Sequence, residues 1–287
     1  MYVSYNYLNT CNIKEIEGIG SQYQKIITLY AVVKKHNLKY IHVPIRVGHN
    51  YNNDTEWDNK WDNMFNLKKI SNNNEIDINN IDKEFMIDNI SFDYILENRN
   101  TNKLFLFFNV YEIFNRNPEY YIKDLQDNLI DAYNENNNNR KLIYNKNKIN
   151  IAIHIRVFND CDNICENINS YISSDKNASI RYYYTGEMYE KIINNLKLEY
   201  PNSDIHIFSQ EKYFDIKFKK LRDIKDVIIH FDDLDLFDVF HHLCKADVLV
   251  TGLSSFSIIA ALYNKNKIIY LKFNCPPYLK SWIEYNP

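Results

Sequence analysis

Residues 235–270 read DLFDVFHHLCKADVLVTGLSSFSIIAALYNKNKIIY. The stretch parses as a helix over Asp235–Lys245, a short strand over Asp247–Thr251, a turn at Gly252, a helix over Ser254–Asn264 and a strand from Lys267. A strand that ends in Thr251-Gly252 and opens a helix at Ser254-Ser255 suits an anion. The free N–H groups of the first helical turn and the small hydroxyls converge on one point.

Working outward, strands and helices alternate throughout the second half of the chain. Strands are expected at Lys148–Val157, Asp204–Ser209, Asp226–Phe231, Asp247–Thr251 and Lys267–Lys272. Helices are expected at Arg181–Glu199, Glu211–Leu221, Asp235–Lys245 and Ser254–Asn264. This alternation predicts a parallel sheet covered by helices, an α/β domain. Such sheets bind ligands at the carboxyl ends of their strands. The polar, asparagine-rich stretch Glu135–Asn147 reads as a linker. It sets a boundary near residue 145, between an N-terminal α/β domain (1–145) and a C-terminal domain (146–287).

In the first strand after the linker, Ile149, Ile151, Ile153, Ile155 and Val157 alternate with Asn150, Ala152, His154 and Arg156. A period of two puts His154 and Arg156 on one face. Arg156 could make a bidentate contact to a diphosphate and offset charge on a departing group. Equally, it could bridge to Asp160 or Asp162. His154 could be a base, a positioning donor or a structural residue. Ser254 is the expected helix cap, and Ser255 and Ser257, either side of Phe256, could add hydroxyls to a phosphate; the other reading is an ordinary capped helix. Asp247 could accept from a nucleobase, or simply end the preceding helix.

Earlier in the chain, Tyr23, Ile26, Ile27, Tyr30 and Val33 recur at helical spacing over Ser21–Asn37, with Ser21 as a cap, and Leu38–Val43 reads as a strand. Gly18-Ile19-Gly20-Ser21-Gln22 leads into that helix, and suits a phosphate, a sugar hydroxyl or a plain tight turn. His49–Asn66 reads as a long surface loop with a short helix. Lys103–Val110 is a strand or a buried helix start. Asn117-Pro118 opens a helix reaching about Tyr133.

The chain has 287 residues, enough for two compact domains, and its 45% hydrophobic content supports a large core. A net charge of −3 gives no general attraction to nucleic acid or an anionic membrane. No run approaches the roughly 18 apolar residues that span a bilayer. The N-terminus lacks a basic segment followed by an apolar one, so a cytoplasmic protein is expected. Five widely spaced cysteines argue against a disulfide framework. Cys161-x3-Cys165 and His241-His242 are too isolated for zinc, and Asp232-Asp233-Leu234-Asp235 reads as a solvated loop with a helix cap, so no metal is expected.

Taken in order, Gly18-Ile19-Gly20-Ser21-Gln22, His154-Ile155-Arg156, Phe208-Ser209-Gln210, Leu243-Cys244-Lys245 and Ser254-Ser255-Phe256-Ser257 resemble the motifs of the fucosyltransferase superfamily, in its α-1,2, α-1,6 and protein O-fucosyltransferase branches. Half the chain carries the resemblance, mostly after residue 148. It departs at Ser21, at Val157-Phe158-Asn159, at Gln210 and at Ile258-Ile259. The resemblance implies a GT-B fold, two Rossmann-like domains with parallel sheets facing an interdomain cleft. It also implies inverting, metal-independent transfer of fucose from GDP-fucose to a carbohydrate or glycoprotein acceptor. Arg156 would then bind the β-phosphate, with His154 beside it. Ser254, Ser255, Phe256 and Ser257 would hold the diphosphate, and Gly20 and Gln22 would lie across the cleft. Candidate bases are His49, Asp54, Glu56, Asp58 and His154. Tyr51, Trp57 and Trp61 could stack on an acceptor sugar or simply pack. The competing classes are a transferase using a UDP- or dTDP-linked sugar and a catalytically silent carbohydrate-binding or structural protein.

Overall fold

The computed structural model describes residues 1–5, 18–45, 55–71, 77, 79–86, 92–107, 110–123, 125–157, 185–231, 233–271 and 279–285. His49, Tyr51, Asp54, Phe158, Asn159, Asp160, Cys161, Asp162, Cys165 and Asp232 lie outside these residues. The chain forms two compact α/β units, one over Met1–Asn139 and the other from Arg140 onward, with Leu279 belonging to the first.

The first unit carries strands β1 (Tyr2–Tyr5), β2 (Lys39–Ile41), β3 (Asp82–Met86) and β4 (Lys103–Phe107), in the order β2-β1-β4-β3. All neighbours are parallel. The central strands β1 and β4 are covered on both faces, as the buried runs Tyr2–Tyr5 and Leu104–Phe107 show. Helix α1 (Ile19–Lys35) follows β1. Its N-cap is Gly18, so Ser21 lies inside the first turn rather than capping it. The helix ends where Asn37 takes a left-handed conformation at φ 56°. Leu38 N then reaches back to Val33 O at 2.9 Å, and β2 begins within two residues.

Helix α2 (Thr55–Phe65) lies in the expected aromatic loop and packs inward. Trp61 is fully buried, stacked on Phe65, which stacks in turn on Tyr23. Trp61 is therefore a packing residue, not a sugar platform. A buried polar chain ties α2 to the end of β2. Asp62 Oδ1 accepts from His42 Nε2 at 3.1 Å and from the Ile45 amide at 3.1 Å, and Tyr40 OH donates to His42 Nδ1 at 3.3 Å.

Helices α3 (Phe92–Glu97), α4 (Tyr111–Arg116), α5 (Pro118–Ile122) and α6 (Gln126–Asn137) complete the unit. The helix predicted from Asn117-Pro118 is thus two: α5, whose Asn117 side chain accepts from Tyr120 N, and α6. The second runs into the asparagine-rich stretch because Asn137 Nδ2 bonds both Tyr133 O, at 2.6 Å, and Met64 O, at 2.8 Å.

The second unit holds β5 (Ile149–His154), α7 (Gly186–Glu199), β6 (Ser203–Phe208), α8 (Glu211–Phe218), β7 (Val227–His230), α9 (Leu236–Lys245), β8 (Val248–Val250), α10 (Ser255–Leu262), β9 (Lys267–Leu271) and β10 (Ile283–Tyr285). Every strand expected from sequence is present. A further strand, β10, was not expected; it is short and largely exposed. The sheet order is β10-β9-β8-β5-β6-β7, parallel throughout. Numbered from β5, this is the doubly wound order 6-5-4-1-2-3 of a dinucleotide-binding domain.

Period-two alternation divides the sheet into two faces. Ile151, Ile153 and Ile155 join Ile205, Ile207, Val248 and Val250 in one core, covered by Ile192, Ile193 and Leu196 of α7 and Phe214 and Phe218 of α8. On the opposite face His206, Phe208 and His230 form a stacked row that meets His242 of α9. Asp235 caps α9 by accepting from Asp238 N at 2.7 Å. At its other end Asn264 Nδ2 bonds the carbonyls of Leu243 and Ala246, at 3.1 and 2.9 Å, and Asn266 Nδ2 also bonds Ala246 O at 2.9 Å.

A candidate anion site at the switch point

The chain leaves β5 toward β6 and β7, then returns to place β8 on the other side of β5. Crossover connections on the two sides therefore run to opposite faces. The carboxyl ends of β5 and β8 open a crevice, the ligand position of such sheets. His154-Ile155-Arg156 closes β5 at this crevice, and Thr251-Gly252-Leu253-Ser254 leads from β8 into α10.

Serines shape the turn. Ser254, extended at φ −148° and ψ 130°, is the N-cap of α10, and its Oγ accepts from Phe256 N at 3.3 Å. Ser257 is fully buried. Its Oγ accepts from the Gly252 amide at 3.0 Å and donates to Ser254 O at 3.1 Å. The phosphate contact expected of Ser257 is therefore replaced by a structural one, and the hydroxyl holds the loop that aims the helix start. Ser255 and Phe256 are partly exposed at the first turn. Gly252 is demanded by contact, since an added Cβ would sit 2.5 Å from His154 O and 2.8 Å from His154 Nδ1.

His154 is 8% exposed, packs its ring on Phe256 and has no hydrogen-bond partner for Nδ1. Burial first, and the Arg156 charge second, push its pKa down to about 3. The imidazole is neutral at pH 7 and weak as a base, which argues against the base role and leaves the positioning and structural roles. Arg156 is exposed, and its Nη1 donates to Gln210 Oε1 at 2.7 Å. Ser209 Oγ donates to Ile155 O at 2.9 Å, fixing the backbone between the two site residues. The supporting roles of Ser209 and Gln210 were not assigned from sequence. The Phe208-Ser209-Gln210 tripeptide, ending the strand next to β5, was the available signal.

Asp247 requires a correction. It precedes β8 and so stands at the amino end of the strand, about 13 Å from Thr251 at the usual rise. There its Oδ2 accepts from Asn150 N at 2.7 Å, and its own amide donates to Asn150 O at 3.0 Å. It fixes the β5–β8 register and cannot reach a nucleobase at the crevice. Gly20 and Gln22 are buried in the first turn of α1, in the first unit. Glu56 is exposed and paired with Lys60 at 2.9 Å. Asp233 accepts from His230 Nδ1 at 2.8 Å.

The buried histidines carry a consequence for stability. Burial is the main cause that lowers His206 and His241 to about 4, as it lowers His154 to about 3. The unfolded chain takes up these protons near pH 6.5, whereas the folded chain resists them. Stability is therefore complete above pH 6.5 and is lost as pH falls toward 4. At pH 5 each group costs about 2 kcal/mol. Urea-denaturation midpoints measured at pH 7 and pH 5 should show a total loss of several kcal/mol; equal midpoints would contradict the neutral, buried state of these rings.

No protein-family model matches the chain, and no curated protein matches it in sequence. Solved structures it is similar to include those of POFUT1. The apo crystal form gives a TM-score of 0.46 at 9% identity, covering 96% of this chain and 98% of that one. The complex with GDP-fucose gives 0.48 at 10% identity with the same coverage. The complex with GDP gives 0.45 at 10% identity, again covering 96% and 98%. No helix among the described residues is long and apolar enough to cross a membrane.

Proposed function

We propose that the chain is an inverting glycosyltransferase that transfers fucose from GDP-fucose, without a metal ion, to a hydroxyl of a glycan or glycoprotein. The observation that carries this reading is the convergence of Arg156, His154 and the Ser254-capped start of α10 at the switch point of the second unit's sheet. A guanidinium and a helix N-terminus at one crevice suit a diphosphate. The choice of GDP-fucose rests on the ordered motifs, of which the stretches around His154, Phe208 and Ser254 meet at this crevice.

In the proposed reaction an acceptor hydroxyl attacks the anomeric carbon as the bond to the diphosphate oxygen breaks, and the diphosphate keeps the electron pair. Arg156 and the first-turn amides of α10 offset the charge that builds on that oxygen. Gln210 orients Arg156 through a neutral amide, so this contact does not cancel the guanidinium charge. His154 offers a ring nitrogen, held neutral, to the bound donor. The hydroxyl proton passes to a general base.

Calorimetric titration with GDP, UDP, dTDP and GDP-fucose in metal-free buffer tests the reading. Selective GDP binding is expected. Selective UDP or dTDP binding would keep the transferase and replace the donor. No binding by any of the four would favour a silent carbohydrate-binding protein.

A further inference from the structure

His242, in the last turn of α9, is wired in a way that the anion site does not use. His242 Nδ1 lies 2.6 Å from Asp238 O, and since a carbonyl only accepts, Nδ1 carries the proton. His242 Nε2 receives the Ile143 amide at 2.9 Å, so Nε2 must be bare. Both positions of the neutral ring are thus filled, and a second proton has no place without expelling the Ile143 amide. The same helix holds the same segment at two further points: Tyr144 OH donates to His242 O at 2.8 Å, and Arg140 bonds Asp238 at 2.7 Å. Arg140 begins the second unit, so this segment is the chain's entry into it.

We propose that His242 is a proton-sensitive latch that fastens the entering segment Arg140–Asn145 to α9 when neutral and releases it when protonated.

The surroundings favour one proton state at a time. Facing His242 are Asp238 and His241 on its own helix, Arg140 and Tyr144 on the entering segment, His206 on β6, and His230 and Asp233 on β7 and its following loop. Burial is the largest influence on His242 and lowers its pKa; the Asp238 carbonyl and carboxylate act against it. His230 Nδ1 donates to Asp233, so His230 Nε2 accepts from His206 Nδ1 at 3.0 Å, and these two rings take at most one proton with their bond intact. Beyond them, His206 Nε2 is buried with no partner. Acid therefore finds its least costly release at the tie between His242 and Ile143, the bond nearest the exposed Leu142 and Ile143 side chains.

Hydrogen exchange of the Ile143 amide, corrected for its intrinsic rate, tests the latch in the full chain. Protection should fall about tenfold relative to the β5 amides by about pH 5.5, one unit below the ordinary imidazole value. His242→Gln supplies a carbonyl acceptor that does not titrate, and should flatten this pH dependence. His242→Phe should leave Ile143 unprotected at every pH. Histidine ring nitrogen shifts at pH 7.5 should report the Nδ1–H tautomer. The latch is overturned if Ile143 stays protected in the parent at pH 5.5, or loses protection only together with β5. It is equally overturned if His242→Gln keeps the parent's pH dependence.

Discussion

Gly252→Ala should be among the most damaging single methyl additions in this protein. The new Cβ would meet the carbonyl oxygen of His154 at 2.5 Å and its carbonyl carbon at 3.2 Å. Neither is the tip of a side chain that could swing away. Both belong to the backbone of β5, the central strand, locked by β6 on one side and β8 on the other. Relief requires the ends of β5 and β8 to part, and that moves the start of α10. Overpacking of a tight interior costs about 1–3 kcal/mol, sometimes more, and a backbone clash belongs at the upper end. The denaturation midpoint should fall by an amount equivalent to about 3 kcal/mol, and GDP affinity should fall with it, because the Gly252 amide is also what Ser257 Oγ grips. An alanine variant as stable as the parent would mean that the two strand ends are not in the contact described.

Arg156→Ala should behave in the opposite way, with large functional and small structural effects. The side chain is exposed, and its described bond is to Gln210 at the surface, so the denaturation midpoint should hardly move. A charge-assisted contact to a diphosphate is worth about 1.5–3 kcal/mol, so GDP affinity should drop roughly 10- to 100-fold. If the same group also steadies the departing diphosphate, transfer should fall further, by about two to three orders of magnitude in kcat. Titration of GDP into both proteins, followed by donor-consumption assays, separates the two effects. Unchanged affinity and turnover would take Arg156 out of the site.

The residues themselves show why some of this could be read in advance. The isoleucine alternation from Ile149 to Ile155 fixes a strand and its faces, because the side-chain period is a local property. Ser254 before a run of small and apolar residues marks a helix start for the same reason. Of the two roles open to Asp247, the nucleobase contact is the one that fails, and its position before Val248 carried the needed signal: in a parallel sheet a residue that precedes a strand stands opposite the carboxyl-end crevice. Ser257 was hidden differently, since a hydroxyl three residues past a cap can turn outward to a ligand or inward to the loop. The strand order was not legible in any local pattern; only the resemblance implied Rossmann-like sheets. Nothing near Asp233 tells the chain to return past β5 before laying down β8, and that return is what creates the switch point. The row of His206, His230 and His242 joins three separate elements, so no local pattern announces it.

The Asp247–Asn150 tie has a bearing on how the protein can change. It pins β5 and β8 together at the end away from the crevice, and β8 is only three residues long, Val248–Val250. Everything from the pin to Gly252 is thus a lever of fixed length. One inserted residue would turn Val248 and Val250 out of their core and swing the start of α10 to the wrong face. Variation in ligand preference across descendants of this sequence is therefore expected in the side chains of the turn and the first turn of α10. The spacing between the pin and the turn should stay constant.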